Sequence, residues 1–597
     1  MATPFDRIAA LRGQLAQAGL QACLVPTADP HLSEYPPEHW LNRTWLSGFD
    51  GSAGSLLVTA DFAGLWTDSR YWSQAQTQLQ GSGITLMRAG APDVPDLQDW
   101  VVSHLQPGAA LAVDGRVLDR AGAQRWQRGL AAADIQLVLD QDPVGVIWAD
   151  RPALPTAPVF EHLPPHACRT RADNLSAVRA AMHDLGADYH LLSTLDDIAW
   201  LLNLRGADVD YNPVFLAHAL LDASRVRLYI APNKISADLA ARLAVDGVDL
   251  CDYTALAGDL SRLPVDAPVL VDPVRVTAGT LVHAPQLRLL EAINPSQLLK
   301  SVKNTAEADN IRQAMAQDGA ALCEFFAWFE AALAAGQTLT EIDVDTHISA
   351  ARARRPGFVS LSFSTIAGFN ANGAMPHYRA TESAHATIQG DGLLLIDSGG
   401  QYLGGTTDIT RVVPVGTPSA AQRADYTVVL QAHIALARAQ FPVDTPSSTL
   451  DALARQPLWR QGLDYGHGTG HGVGYFLNVH EGPQTIAVRA HARPHQGMQA
   501  GMLTSNEPGL YREHQWGIRI ENLVLAVPVQ ETVFGDFLAF ETVTLCPIDT
   551  RCVVPDLLSA DELSWLNTYH QQVRKRLLPL VDGAARDWLL ARTEALG

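Results

Sequence analysis

DGLLLIDSGGQYLGGTTDITRVVPV, residues 391–415, consists of two apolar runs joined by a glycine-rich connection. That is the pattern of antiparallel strands, each run long enough for a buried strand and the glycines between them reading as turn. Asp397 ends the first run and Asp408 starts the second. Both acids interrupt apolar sequence, and a carboxylate carried into a core must be paired, neutralised or coordinated. Two readings stand at this point: each Asp caps the turn beside its glycines, or the two face each other on a hairpin and hold something between them.

Further carboxylates lie downstream. TSNEPGLY sets Glu507 before a Pro-Gly turn, and WGIRIENLVLAV places Glu521 inside an expected strand alternating Ile518, Ile520 and Leu523. An acid in such a strand is out of place unless something binds it. Between the two acidic pairs runs GHGTGHGVG, residues 466–474, whose His467 and His471 stand four apart. Its glycines disfavour helix by about 1 kcal/mol each, so the segment reads as ordered loop or strand. A phosphate cradle would need a lysine or a helix start downstream, and an aromatic run with His480 follows instead.

Gathering Asp397, Asp408, Glu507 and Glu521 would set four negative charges together, which mutual repulsion forbids without cations. Two divalent ions with one bridging hydroxide nearly balance them, and His471 completes five ligands. Oxygen-rich donors with one imidazole suit manganese, with cobalt or zinc as alternatives; no cysteine takes part, which excludes soft-metal sites.

The ordered set Asp397, Asp408, His471, Glu507 and Glu521, with GFNANGAMPHY before it and GHGTGHGVGYFLNVHEGP around its histidine, resembles the pita-bread metallopeptidases of the aminopeptidase P (Xaa-Pro aminopeptidase) type. RTWLSGFDGSAGSLLVT, LWTDSRYW and DDIAWLLNLRGADVDYNPVF resemble the first two domains of its long, three-domain form, and TLCPIDTRCVV resembles its tail. The resemblance covers nearly the whole chain. It implies an α/β and α+β multidomain protein: two related α/β creatinase-type N-terminal domains (1–160 and 161–303), a pita-bread catalytic domain (304–550) and a C-terminal helical extension (551–597). Asp397 would bind one metal, Asp408 and Glu521 would bridge both, and His471 and Glu507 would hold the second. His377, His467 and His480 match unligated active-site histidines, and Arg519 matches an arginine supporting the ligands. Read alone, each of these histidines is more often a structural polar group.

The expected reaction is hydrolysis of the N-terminal Xaa-Pro bond by a hydroxide bridging two divalent metals, since one zinc can already bring the pKa of water to about 7. His377 would donate a hydrogen bond to the developing oxyanion and Glu507 would pass a proton to the leaving proline nitrogen. His467 and His480 would position substrate or relay protons. A site for proline must read ring shape, because the bond before proline has no N–H. Arg205 in NLRG is a candidate near the site's entrance, its other reading being a surface ion pair. The alternatives are a prolidase acting on Xaa-Pro dipeptides and a non-catalytic pita-bread peptide-binding protein.

The rest of the chain agrees with a peptide-cleaving enzyme and excludes other classes. At 597 residues it is too long for one core. The formal charge of −20 argues against nucleic acid or anionic lipid as partner, and no stretch has the apolar length of a membrane span. The start reads as an amphipathic helix on Ile8, Leu11, Leu15 and Leu20 and lacks the pattern of a secretory signal. Six scattered cysteines read as reduced thiols, so a cytoplasmic location is expected, and the resemblance implies a homodimer. Prolines cluster through 151–167 as a linker. The segments before and after it show a similar order of elements, the mark of a duplicated domain.

Overall fold

The computed structural model describes residues 2–488 and 497–597. The chain forms two compact units, Met1–Leu163 with Arg169–Ser296, and Pro164–Cys168 with Gln297–Gly597.

The first unit holds two six-stranded sheets. One runs Thr85–Arg88, Ala63–Thr67, Ser55–Thr59, Ala22–Pro26, Ala110–Val113, Gln136–Val138 from edge to edge; the other runs Val248–Asp252, Val226–Ile230, Ala217–Leu221, Tyr189–Leu192, Pro268–Val271, Arg288–Glu291. In both, the first neighbouring pair is parallel, the next two antiparallel and the last two parallel. The duplication expected from element order is therefore a duplication of topology. Central strands are buried on both faces and so read as unbroken apolar runs such as ACLVP and SLLVT. Arg205 sits in this unit and is 2% exposed, so the surface ion-pair reading fails. Its Nη1 donates to Ala199 O (3.1 Å) and Leu204 O (2.9 Å) at the end of helix Leu195–Leu202.

The second unit opens with helix Thr305–Ala334, started by the capping box of Asn304 and Glu307. Its apolar stripe, Ile311, Met315, Leu322, Phe325, Phe326 and Phe329, is buried. Strands Ile366–Phe369, Gly392–Ser398 and Ile409–Val415 make a three-stranded antiparallel sheet. A six-stranded sheet runs Gln440–Pro442, Gly535–Thr542, Asn522–Thr532, Leu503–Asn506, Gly470–Gly472, Glu481–Ile486. Helix Ala560–Leu577, capped by Ser559 and Glu562, lays Leu566, Val573 and Leu577 into the core that contains Tyr426, Ile434 and Ile520. Each fully buried leucine there contributes roughly 1.5–3 kcal/mol.

Three local expectations change. The first helix is Pro4–Ala18, ended by Gly19 in the left-handed region (φ 69°), so Leu20 is buried from outside it. Asp397 and Asp408 do not pair across the hairpin: Asp397 pairs with Thr410, and the connection from 399 to 408 folds into its own short strands Gly400–Tyr402 and Gly405–Thr406. Glu521 does not lie inside a strand. Strand Trp516–Arg519 stops, Ile520 and Glu521 fall in the break, and Asn522–Thr532 begins a different sheet.

Candidate metal centre

Five segments of the second unit converge. Asp397 is the penultimate residue of strand Gly392–Ser398 and Asp408 immediately precedes Ile409–Val415. His471 is the middle residue of Gly470–Gly472, Glu507 directly follows Leu503–Asn506, and Glu521 occupies the break just described. Ligand atoms of Asp408, His471 and Glu521 lie within 4.8 Å of one another. His471 Nε2 is 3.5 Å from Asp408 Oδ2 and 3.5 Å from Glu507 Oε1. Asp397 joins through Arg519, whose Nη2 reaches Asp397 Oδ2 at 2.5 Å while its Nε donates to Thr410 Oγ1 (3.0 Å). Thr410 in turn donates to Glu521 Oε2 at 2.7 Å.

These distances suit a divalent ion. Two donors each about 2.1 Å from one ion stand roughly 3.0–3.4 Å apart in octahedral or tetrahedral geometry, close to the 3.5 Å from His471 to each acid. His471 Nδ1 is 2.9 Å from Gly472 O. A carbonyl only accepts, so Nδ1 carries a hydrogen and Nε2 is the nitrogen turned to the acids, the one that a metal-binding imidazole would offer after losing its proton. Asp397 Oδ1 is buried and meets no hydrogen-bond donor among the described residues. An orphaned carboxylate oxygen costs several kcal/mol unless a cation takes it.

The electrostatics agree. Burial, opposed by Arg519 and reinforced by Asp408, pushes Asp397 up to about 7. Burial, then the charges of Asp408, Glu507 and Asp397, drives Glu521 well above the usual carboxylate range. Burial would lower His471, yet its hydrogen bond to Asp408 and the charge of Glu507 lift it to about 9. Without cations the cluster keeps protons it must surrender to bind them.

The unligated histidines surround this centre. His480 stands edge-on to His471, ring centroids 4.3 Å apart. His467 donates from Nδ1 to Gly468 O (2.7 Å), leaving Nε2 to accept from Tyr511 Oη at 2.8 Å. Tyr511 Oη accepts from Arg519 Nη1 at 2.7 Å, so a hydrogen-bonded chain runs from His467 to Asp397. His377 is half-buried, and the carbonyl before it, Pro376 O, accepts from Arg519 Nη2 at 3.4 Å. Arg519 thus touches both the ligands and the loop carrying His377. Sequence reading missed Tyr511 and Thr410. Tyr511 could have been found as the only residue of NEPGLY with both an aromatic body and a polar tip; Thr410 in an apolar strand gives no such signal.

Comparison with known proteins gives a consistent family. Residues 309–528 match metallopeptidase family M24, residues 7–142 and 150–307 each match a creatinase/prolidase N-terminal domain, and residues 536–596 match the C-terminal region of peptidase M24. The chain is 40% identical to a probable Xaa-Pro aminopeptidase P of Laccaria bicolor, covering 98% of this chain and 92% of that one. It is 38% identical to aminopeptidase P2 of Arabidopsis thaliana, covering 97% and 86%. A crystal structure of X-prolyl aminopeptidase from Caenorhabditis elegans, described as a cytosolic enzyme with a di-nuclear active site, superposes with a TM-score of 0.94 at 32% identity over 100% of both chains.

Proposed function

This chain belongs to metallopeptidase family M24, and from that premise we propose that it is an Xaa-Pro aminopeptidase, hydrolysing the first peptide bond of peptides whose second residue is proline. The observation that carries the reading is the convergence of Asp397, Asp408, His471, Glu507 and Glu521 with one buried carboxylate oxygen left without a donor. We assign Asp397 to one metal, Asp408 and Glu521 to both, and His471 and Glu507 to the second, with manganese as the metal the donor set favours. When bound, two divalent cations supply Lewis-acid polarisation of the scissile carbonyl and make water acidic enough to attack it near neutral pH.

The chain's own residues set up the rest. Arg519 pulls Asp397 toward its ionised form against burial and, through Pro376 O, holds the loop of His377. His377 stabilises the oxyanion that develops at the scissile carbonyl, a role worth about 2.7–4 kcal/mol for one well-placed donor. Ser505 Oγ donates to Glu507 Oε1 at 3.2 Å, orienting the acid we assign to carry a proton to the leaving proline nitrogen. Tyr511 holds His467 through its Nε2, and His480 packs against the ligand His471. Both histidines thereby fix the wall against which substrate lies.

We further propose that residues 1–160 and 161–303 restrict cleavage to the first residue, that 304–550 with the extension 551–597 carries the chemistry, and that the enzyme is a cytoplasmic homodimer. No helix among the described residues is long and apolar enough to cross a membrane. The test is to incubate manganese-loaded protein with an Xaa-Pro-Pro tripeptide and with an Xaa-Pro dipeptide. Release of the first amino acid from the tripeptide supports the reading; cleavage of the dipeptide alone makes the protein a prolidase.

A further inference from the structure

We propose that His433 is a positioning residue that fixes the separation of the two glutamate ligands and thereby sets the affinity of the metal centre. His433 lies on helix Ala420–Ala437 and is fully buried. Its Nδ1 stands 3.1 Å from Asn506 O and 3.1 Å from Ile520 O. Those are the residues directly before Glu507 and Glu521. Both carbonyls only accept, so one N–H is shared between them and Nε2 is left as an acceptor. Asn522 Nδ2, on the residue after Glu521, fills it at 3.1 Å. Asn506 Nδ2 closes the figure by donating to the His433 carbonyl at 2.9 Å.

His433 adds a side-chain brace at the gap between two ladders, where the backbone is joined by Ile520 N–H to Pro508 O (3.4 Å) and each glutamate N–H is held, Glu507 by Thr469 O (2.8 Å) and Glu521 by Thr410 O (3.2 Å). The ladder between Leu503–Asn506 and Asn522–Thr532 ends on the pair Asn506 and Asn522. Glu507 and Glu521 lie one step beyond it, on backbone with no strand partner in that ladder. Arg411 secures only one side, through Nη1 to Glu521 O and Nη2 to Asn522 Oδ1, both 2.7 Å. The His433 side chain touches the backbone on both sides. Burial and the charge of Arg411 hold its imidazole down to about 3, so it braces as a neutral ring. Groups that orient metal ligands from outside typically change affinity by about 10–100-fold when removed.

The inference rests on the metal-binding reading of the five ligands, and the experiment separates the two. Metal-free wild type, His433→Asn and Leu430→Ala are titrated with Mn2+ in competition with a chromophoric chelator, with circular dichroism and melting recorded for each. Leu430, fully buried on the same helix, supplies a core lesion that leaves the hydrogen-bonding groups of the brace in place. The expected result is two ions per wild-type chain, an affinity at least tenfold weaker in His433→Asn, and near wild-type affinity in Leu430→Ala despite a lower melting temperature. If His433→Asn does not fold, His433→Gln carries the same comparison. Wild-type affinity in the His433 variant, or an equal loss in Leu430→Ala, overturns the inference alone; a wild type that binds no metal overturns the site and the inference together.

Discussion

Loading the metal-free protein with Mn2+ between pH 6 and 8 measures the protons that the site must give up. Coordination needs Asp397 and Glu521 ionised and His471 neutral at Nε2. Burial places Asp397 at about 7, burial with its acidic neighbours keeps Glu521 well above the carboxylate range, and Asp408 with Glu507 overcomes burial to hold His471 at about 9. At pH 6 Asp397 and His471 both carry a proton; at pH 8 Asp397 has lost its own. Filling the centre therefore releases about two protons from these groups at pH 6 and about one at pH 8, and the combined affinity for the ion pair rises by roughly 10–10^2 per pH unit. Isothermal titration in two buffers of different ionisation enthalpy reads the proton count directly, and chelator competition reads the affinity. Release of fewer than one proton, or an affinity constant within tenfold from pH 6 to 8, would refute the account of a buried acid cluster that trades protons for metal.

The same shifts govern stability without metal. Carboxyls whose folded pKa is raised lose their contribution as pH climbs from about 4 through the folded value, so the metal-free protein melts lower at pH 8 than at pH 5; the two units of the Asp397 shift that lie between pH 5 and 7 are about 2.7 kcal/mol, or roughly 4 °C for a unit near 300 residues, and Mn2+ abolishes the difference. Asp408→Asn and His471→Ala abolish tripeptide hydrolysis with circular dichroism unchanged; retained turnover in either contradicts the ligand assignment. Arg519→Gln leaves Asp397 without its buried partner and costs about 3–5 kcal/mol, seen as a lowered melting temperature together with weaker metal binding.

The converging acids were legible because acids in apolar sequence are physically costly, and that cost marks Asp397, Asp408 and Glu521 without any structure. The duplicated sheets were legible as repeated element order, although only the pairing registers show that the topologies coincide. Hairpin geometry was less so. Side-chain alternation predicts a strand through Glu521, but backbone direction changes there, and nothing local in IRIENL announces the switch between sheets. The outer contacts were not legible at all. Thr410, Tyr511 and His433 act through partners about 10 to 110 residues away, as in the bond from Thr410 to Glu521, and a single sequence has no periodicity that encodes such meetings. Arg205 shows the converse: a charged residue in a loop-like motif reads as surface, whereas its guanidinium is buried and donates to the main-chain carbonyls of Ala199 and Leu204.

The central claim is that five side chains from separate segments hold two divalent cations. Counting metal per chain by plasma mass spectrometry, after stripping, reloading with Mn2+ and removing free ion, tests it most directly. The account predicts two ions per wild-type chain and at most one in Asp408→Asn; a wild type that retains none, or an Asp408→Asn chain that still retains two, contradicts it.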